Sequence, residues 1–139
     1  MCGFAGLLAN ACDHSSLEQI ARTMASAIAH RGPDDAGTWT EPSQGIAFAH
    51  QRLAILDLSP TGHQPMISGT GRYVIAFNGE IYNHLDLRQQ LQAKGQSPQW
   101  RGTSDTETFL AYVDALGLEE TLHQSVGMFS LAIWDRKLR

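Results

Sequence analysis

The sequence lacks the features that would place it outside the globular class. Its longest apolar runs, such as residues 73–77, are far shorter than the roughly 20 residues of a membrane-spanning helix. No basic segment precedes an apolar stretch at the amino terminus, so we predict no secretory signal and a cytoplasmic location. The chain also has no low-complexity tract, and its 139 residues are 42% apolar, which predicts one folded domain with a core.

Charge, cysteine and clustered histidine are also scarce. The 10 basic and 14 acidic residues give a net charge of −4 without a basic patch, which argues against nucleic-acid binding. The two cysteines, Cys2 and Cys12, are too few for a disulfide framework, so we expect reduced thiols. The 6 histidines have no metal-ligand spacing, and we predict no metal site.

The hydrophobic pattern predicts an α+β domain. Strands are predicted at residues 3–9, 45–50, 53–56, 72–77 and 128–134, and helices at 17–30, 84–94 and 104–116. Loops are predicted at 30–37 and 63–66, because glycine, proline and aspartate favour turns there. Capping boxes are expected at Ser15 with Glu18 and at Ser104 with Glu107, and Asn83 is expected to cap the second helix.

The last predicted strand and the first one raise separate questions. No partner strand follows residues 128–134, so this strand either pairs elsewhere in the sheet or belongs to a hairpin that the chain does not complete. Gly3 and Gly6 lie in the first strand, which indicates that another group approaches the backbone closely there.

Cys2 is notable for its position. If Met1 is removed, Cys2 carries both a thiol and a free α-amino group, whose reference pKa values are about 8.5 and about 7.7 to 8.0. Such a residue is a nucleophile with its own general base. The alternative is a small apolar residue that opens a strand, and its position alone leaves both open.

Four further residues have a functional and a structural interpretation. Asn78 and Gly79 offer adjacent N–H donors suited to an oxyanion hole, although Asn-Gly is also a common hairpin turn, which is the favoured interpretation when the pair is taken alone. Arg52 binds an anionic ligand or forms an ion pair with Asp57. Asp105 recognises a ligand ammonium group or favours the start of a helix through the helix dipole. For Arg52 and Asp105 alone, the structural alternative is again favoured.

Taken together, seven motifs in order resemble one family. They are MCGFAG at 1–6, HRGPD at 30–34, HQRLAILD at 50–57, QPM at 64–66, NGEIYNH at 78–84, SDTE at 104–107 and GMF at 127–129. The chain resembles the glutaminase domain of asparagine synthetase, a class II glutamine amidotransferase and N-terminal-nucleophile hydrolase. The resemblance spans nearly the whole chain, and HRGPD, HQRL and NGEIYN favour the asparagine synthetase branch over the sugar-phosphate transaminase branch.

The resemblance implies a fold and a domain organisation. The expected fold is the four-layer αββα sandwich of N-terminal-nucleophile hydrolases, truncated at the carboxyl terminus. Residues 1–139 would form an incomplete type 2 glutamine amidotransferase domain, and the synthetase domain would be absent. ATP and Mg²⁺ would belong to that absent domain, and no cofactor is expected in this chain, whose sequence has no phosphate-binding glycine loop.

The resemblance also implies residue roles. Cys2 would attack glutamine, with Asn78 and Gly79 stabilising the oxyanion. Arg52 would hold the α-carboxylate, and Glu80 with Asp105 would receive the α-ammonium group. The remaining substrate-binding residues would be Leu53, Ala54, Ile55 and Leu56, whereas Arg31 and Asp34 would hold the loop near the nucleophile. His30, His50 and His84 would have no role as a base.

The expected activity is hydrolysis of L-glutamine to glutamate and ammonia through a cysteine thioester. The ammonia would pass to a synthetase domain, in the same protein or in a partner, and the oligomeric state stays open. One alternative is an inactive, truncated fragment that binds only glutamine or a partner. Another is an amidotransferase of a different branch, because the missing domain would choose the ammonia acceptor.

Overall fold

The computed structural model describes residues 2–10 and 13–139 of the chain. Met1 and Cys12 lie outside these residues, so removal of Met1 and the state of Cys12 stay predictions. Two three-stranded antiparallel sheets form the centre of the fold, with strand orders β1-β3-β2 and β4-β5-β6. The strands are β1 Gly3–Leu8, β2 Asp35–Glu41, β3 Ile46–Arg52, β4 Met66–Ile67, β5 Tyr73–Ile81 and β6 Gly127–Asp135.

Helices cover the outer face of each sheet. The helices are α1 His14–Ala27, α2 His84–Ala93, α3 Asp105–Leu116 and α4 Leu118–Gln124, and short 3₁₀ turns lie at Ala29–Arg31, Pro42–Gln44 and Pro60–Gly62. Helix α1 packs on the first sheet through Leu17 and Ala21, which contact Ala47 of β3. Helices α2 and α3 pack on the second sheet, where Phe109 lies with Phe77 in the largest apolar cluster.

The two sheets pack face to face. Side chains alternate along a strand, so Ile46 and Phe48 point away from α1 and meet Val74 and Ala76 of β5. All seven residues of β3 are buried, as expected for a strand between a helix and a second sheet. The layers therefore follow the order helix, sheet, sheet, helix, which confirms the predicted αββα sandwich.

The predicted first helix forms, but its cap differs from the expected one. Helix α1 begins at His14, and its N-cap is Asp13, whose carboxylate accepts the backbone N–H of Ser16 over 2.9 Å. The predicted Ser15 and Glu18 capping box is therefore wrong. An aspartate two residues upstream offers the stronger acceptor, and Ser15 itself donates to it.

The predicted strand at 45–50 is confirmed as β3, but the predictions on either side of it differ from the structure. Residues 35–37 begin the edge strand β2, although a loop was expected, because backbone pairing with β3 overrides the low strand propensity of aspartate and glycine. Residues 53–56 are not a strand. The backbone N–H groups of Leu53 and Ala54 bind side chains, the thiol of Cys2 and the carboxylate of Asp34, rather than a neighbouring strand.

The second sheet extends further than its hydrophobic pattern indicates. Strand β5 continues through Asn78 and Gly79 to Ile81, so the hairpin-turn interpretation of Asn-Gly is wrong. Strand β4 starts at Met66, inside a predicted loop, and α4 was not predicted. Strand β6 pairs with β5 along nine residues, so its partner lies earlier in the chain.

The two remaining caps were predicted with partial success. Ser104 caps α3 by accepting the N–H of Glu107, as expected, but the Glu107 carboxylate binds the N–H groups of Arg101 and Gly102 instead of completing the box. Asn83 precedes α2 without a side-chain cap bond, because its amide binds Gln124 and Val126. Within residues 2–10 and 13–139, no helix has the length and apolar character needed to cross a membrane.

Candidate functional site

A cavity of about 220 Å³ lies where β1 begins, β3 ends and α3 starts, beside the second half of β5. Its lining residues are Cys2, Arg52, Leu53, Ile55, Leu56, Asp57, Gly62, Gln64, Phe77, Asn78, Gly79, Glu80, Tyr82, Ser104, Asp105, Thr106 and Met128. Every predicted catalytic or substrate-binding residue lines the cavity except Ala54. The fold therefore gathers predicted site residues that are up to 103 positions apart, from Cys2 to Asp105, around one space.

Cys2 reaches the cavity because β1 runs antiparallel to β3. The pairing of Gly3 with Gln51 places Cys2 beside the end of β3. There the backbone N–H of Leu53 donates to its sulfur over 3.3 Å, and the carbonyl oxygen of Leu53 lies 3.5 Å from the same sulfur. The thiol is half-buried. A partly exposed thiol held by backbone groups can meet a ligand in the cavity without a change of fold.

The glycines of β1 confirm the close approach that the sequence indicated. A Cβ on Gly3 would lie 2.8 Å from the side chain of Arg31, and one on Gly6 would lie 3.1 Å from the ring of Phe48. The side chain of Arg31 therefore packs against the strand that carries Cys2. This contact agrees with a structural rather than a reacting role for Arg31.

The backbone of β5 presents an N–H group to the cavity. In an antiparallel pair, backbone groups alternate between the partner strand and the opposite side. The N–H groups of Phe77 and Ile81 face away from β6, where they bind the Gln64 side chain over 2.7 Å and the Asp105 carboxylate over 2.9 Å. Gly79 lies midway between them in an unbroken register and lines the cavity, so we expect its N–H to point to the same side.

Position 79 requires glycine. Its φ is +145°, and a Cβ there would lie 2.3 Å from the carbonyl oxygen of Met128 on β6. Asn78 precedes it and shares the side-chain direction of Val74 and Ala76, toward the first sheet. The Asn78 side-chain amide and the Gly79 N–H are therefore adjacent donors at the wall of the cavity.

Arg52 provides the positive charge of the cavity. Its buried guanidinium donates to the carbonyl oxygens of Ser59, over 2.9 Å, and of Asp57. The group packs on Gly62, where a Cβ would lie 2.6 Å from the central guanidinium carbon. The predicted ion pair with the Asp57 carboxylate does not form, since that carboxylate faces Ser59, Thr61 and Thr103. Backbone carbonyls bear no net charge, so the charge of Arg52 is available to an anion.

Two carboxylates lie on another part of the wall. Asp105 is only 6% exposed and accepts the N–H groups of Ile81 and Thr106. Glu80 is exposed at the mouth of the cavity. Together with Arg52 they give the cavity charges of both signs, which suits a zwitterionic ligand.

The segment after β3 forms a further wall. Leu53, Ile55 and Leu56 line the cavity, whereas Ala54 does not: its N–H donates to the Asp34 carboxylate over 2.9 Å. Asp34 in turn donates its backbone N–H to the carbonyl oxygen of Arg52 over 3.0 Å. These contacts agree with the prediction that Asp34 holds a loop near the nucleophile.

Several residues that line the cavity were not predicted from the sequence. Gln64 and Met128 stand in two of the recognised motifs, QPM and GMF, but neither side chain has chemistry that would single it out. Asp57 was considered only as a partner of Arg52. Membership of a motif was the one signal that could have drawn attention to these three residues.

Comparison with known proteins identifies a family whose members resemble this chain along its whole length. The model of the family described as glutamine amidotransferase domain matches residues 1–139. Asparagine synthetase [glutamine-hydrolyzing] 1 of Bacillus subtilis is 38% identical over 98% of this chain and 21% of its own length. Asparagine synthetase B [glutamine-hydrolyzing] of Escherichia coli is 36% identical over 97% of this chain and 23% of its own length. The chain thus spans about a fifth of the length of these curated relatives.

A solved structure supports the fold. The glutamine phosphoribosylpyrophosphate amidotransferase of Bacillus subtilis matches with a TM-score of 0.71 and 19% identity, over 98% of this chain and 35% of that protein. At this identity the likeness concerns the fold alone.

Proposed function

We propose that this chain, which belongs to the glutamine amidotransferase domain family, hydrolyses L-glutamine to L-glutamate and ammonia at the cavity that contains Cys2. The observation that carries the proposal is the placement of a thiol, two adjacent N–H donors and charges of both signs around one space. A glutamine molecule needs each of these: an attacking group and an oxyanion site at its amide, and counter-charges at its α-carbon.

In the proposed reaction, Cys2 acts as nucleophile once Met1 has been removed. Its α-amino group takes the thiol proton, and the sulfur attacks the side-chain carbonyl carbon of glutamine. The tetrahedral intermediate then collapses. The carbon–nitrogen bond breaks, the α-ammonium group of Cys2 gives a proton to the leaving nitrogen, and ammonia departs. Water, activated by the same amine, hydrolyses the γ-glutamyl thioester and releases glutamate and the free thiol. Nucleophile and base both belong to Cys2, so this half-reaction requires no cofactor.

We assign the stabilisation of the oxyanion to Asn78 and Gly79. The side-chain amide of Asn78 and the backbone N–H of Gly79 are neighbours on the cavity wall. Donors of this type are worth roughly 3 to 4 kcal/mol each in acyl transfer. The N–H of Gly79 is fixed by the bonds of Phe77 and Ile81 on either side of it, so it requires little reorganisation.

The α-carbon end of glutamine is assigned to the charged wall. Arg52 binds the α-carboxylate, and Asp105 with Glu80 binds the α-ammonium group. The segment containing Leu53, Ala54, Ile55 and Leu56 completes the wall, Ala54 through its neighbours because it does not line the cavity itself. An orientation fixed at both charges leaves the amide end free to meet Cys2.

The ammonia is proposed to pass to an ATP-dependent synthetase domain. The support is that the relatives are named glutamine-hydrolysing asparagine synthetases and are about five times as long as this chain. An acceptor other than aspartate is the alternative, since the cavity described here contacts only glutamine in this scheme.

The test is a glutaminase assay on purified chain whose amino terminus is confirmed by mass. We expect equal amounts of glutamate and ammonia from L-glutamine, and loss of both products in Cys2→Ala. Cys12→Ala is the matched control, since it removes the other thiol, and its rate should equal that of the unsubstituted chain. A processed, folded chain that binds glutamine without hydrolysing it would instead favour the second candidate, a module that only binds glutamine.

A further inference from the structure

Asp57, the last residue of the HQRLAILD motif, has no role in the proposed chemistry, yet its carboxylate is buried and fully engaged. The residue is 6% exposed. Its two oxygens accept the N–H of Ser59 over 2.9 Å, the hydroxyl of Ser59 over 2.5 Å, the hydroxyl of Thr61 over 3.2 Å and the N–H of Thr103 over 2.9 Å. All four donors are neutral, so these contacts are not ion pairs. They tie the carboxylate to two backbone segments.

One of these segments holds Arg52. The guanidinium donates to the carbonyl oxygens of Asp57 and Ser59. The Asp57 carboxylate closes the turn that carries both carbonyls, because one of its oxygens binds the N–H and the hydroxyl of Ser59. The direction of the guanidinium therefore depends on a turn that this carboxylate fixes.

The other segment leads to Asp105. The second carboxylate oxygen of Asp57 accepts the N–H of Thr103, two residues before Asp105 at the start of α3. Gly102 lies directly against this oxygen, where a Cβ would come within 2.4 Å of it. On its other side the segment is held by Arg88, which donates to the carbonyl oxygens of Gly102 and Ser104 over 3.0 and 3.3 Å.

We infer that Asp57 is a positioning residue that sets the separation between Arg52 and Asp105, and thereby makes the cavity selective for ligands that carry both an α-carboxylate and an α-ammonium group. The inference rests on the proposed function, which assigns those two groups to Arg52 and Asp105. Within residues 2–10 and 13–139, Asp57 is the one side chain that hydrogen-bonds both the segment holding Arg52 and the segment leading to Asp105. Loss of the Asp57 carboxylate should weaken the binding of a ligand with two charges more than that of a ligand with one. Only the two-charge ligand must contact Arg52 and Asp105 at the same time.

The test compares two chains that both carry Cys2→Ala, one with Asp57→Asn and one with Asp57 unchanged. Calorimetry on these chains measures ligand binding without turnover. Asparagine has the shape of aspartate, but its amide nitrogen cannot accept the N–H of Thr103. We expect the Kd of L-glutamine to rise about tenfold, because this corresponds to the loss of one hydrogen bond to a charged group. The Kd of glutaramate, which is glutamine without its α-amino group, should rise less than about threefold. With Cys2 present, KM should rise with little change in kcat.

Asp114→Asn is the matched control. Asp114 also accepts a backbone N–H and two hydroxyl groups, from Thr70 and Ser68, but it lies outside the cavity. This variant should change neither Kd. If Asp57→Asn does not fold, Ser59→Ala removes one of the four hydrogen bonds to the Asp57 carboxylate. This variant should also raise the Kd of L-glutamine more than the Kd of glutaramate, but by a smaller factor.

The outcomes separate this inference from the proposed function. Equal losses for L-glutamine and glutaramate in Asp57→Asn, or equal effects of Asp57→Asn and Asp114→Asn, would overturn the positioning role even if the unsubstituted chain hydrolyses glutamine. A larger loss for glutamine in a chain that binds but does not hydrolyse it would support the positioning role and contradict the proposed function.

Discussion

His50 spans the two sheets and binds the backbone of Phe77. Its Nε2 lies 2.9 Å from the carbonyl oxygen of Phe77, and the side chain is fully buried. A carbonyl oxygen only accepts, so Nε2 carries the proton in this bond. The peptide that His50 holds is the one that joins Phe77 to Asn78. A residue to which the sequence assigned no role as a base thus supports the strand that carries the proposed oxyanion donors.

We expect His50→Phe to lower kcat for glutamine hydrolysis about tenfold or more, since it leaves the carbonyl oxygen of Phe77 without its donor in the sheet interface. His50→Gln keeps an N–H donor of similar reach and should retain most of the activity. Steady-state kinetics on the two variants, with thermal unfolding to confirm folding, makes the comparison. Equal activity of the two variants would contradict the role of this hydrogen bond.

The same residue predicts a pH dependence of stability. Burial lowers the pKa of His50 below its ordinary value of 6.5, while the bond to Phe77 and the charge of Asp35 oppose the shift, and His63 and Arg52 add to it. Below pH 6.5 the unfolded chain therefore binds a proton that the native chain resists, so the free energy of unfolding should fall as the pH is lowered. Denaturant titrations at pH 7 and pH 5 should show a smaller fall for His50→Gln than for the unsubstituted chain.

Gly79→Ala should abolish glutamine hydrolysis, because a Cβ at φ +145° would collide with the carbonyl oxygen of Met128 and displace the N–H donor from the cavity wall. Gly71→Ala is the matched control: Gly71 also has a positive φ, +75°, but a Cβ there meets nothing within 4 Å. This control should cost only about 1 kcal/mol of stability and leave the rate unchanged. Full activity in Gly79→Ala, measured as glutamate release, would remove Gly79 from the mechanism.

The elements of the fold that the sequence predicted are those with strong local signals. Helix α1 follows from the spacing of Leu17, Ala21 and Met24, and β5 follows from its β-branched and aromatic residues. Strand β2 could not be predicted in the same way, because its pairing with β3 depends on a partner that lies later in the chain.

The candidate site divides along similar lines. Arg52 could be singled out because a charge among apolar residues needs a partner. Asp105 could be singled out because it lies in the first turn of a predicted helix. The true environment of Arg52, two backbone carbonyls instead of the Asp57 carboxylate, depends on a turn that no local pattern specifies. Ala54 was expected to line the cavity with its neighbours, but its N–H is directed to Asp34, a contact across 20 positions. Asp57 and His50 act through tertiary contacts, which sequence spacing does not show.

If Cys2 is an N-terminal nucleophile, the γ-glutamyl thioester should be detectable by intact-protein mass spectrometry of chain that has been mixed with L-glutamine and quenched with acid. We expect a chain that lacks Met1 and gains one γ-glutamyl group, located on the peptide that begins with Cys2 and removed by hydroxylamine. The group should be absent in Cys2→Ala and present in Cys12→Ala. Glutamine hydrolysis by a chain that retains Met1, or by Cys2→Ala at an unchanged rate, would show that Cys2 is not an N-terminal nucleophile.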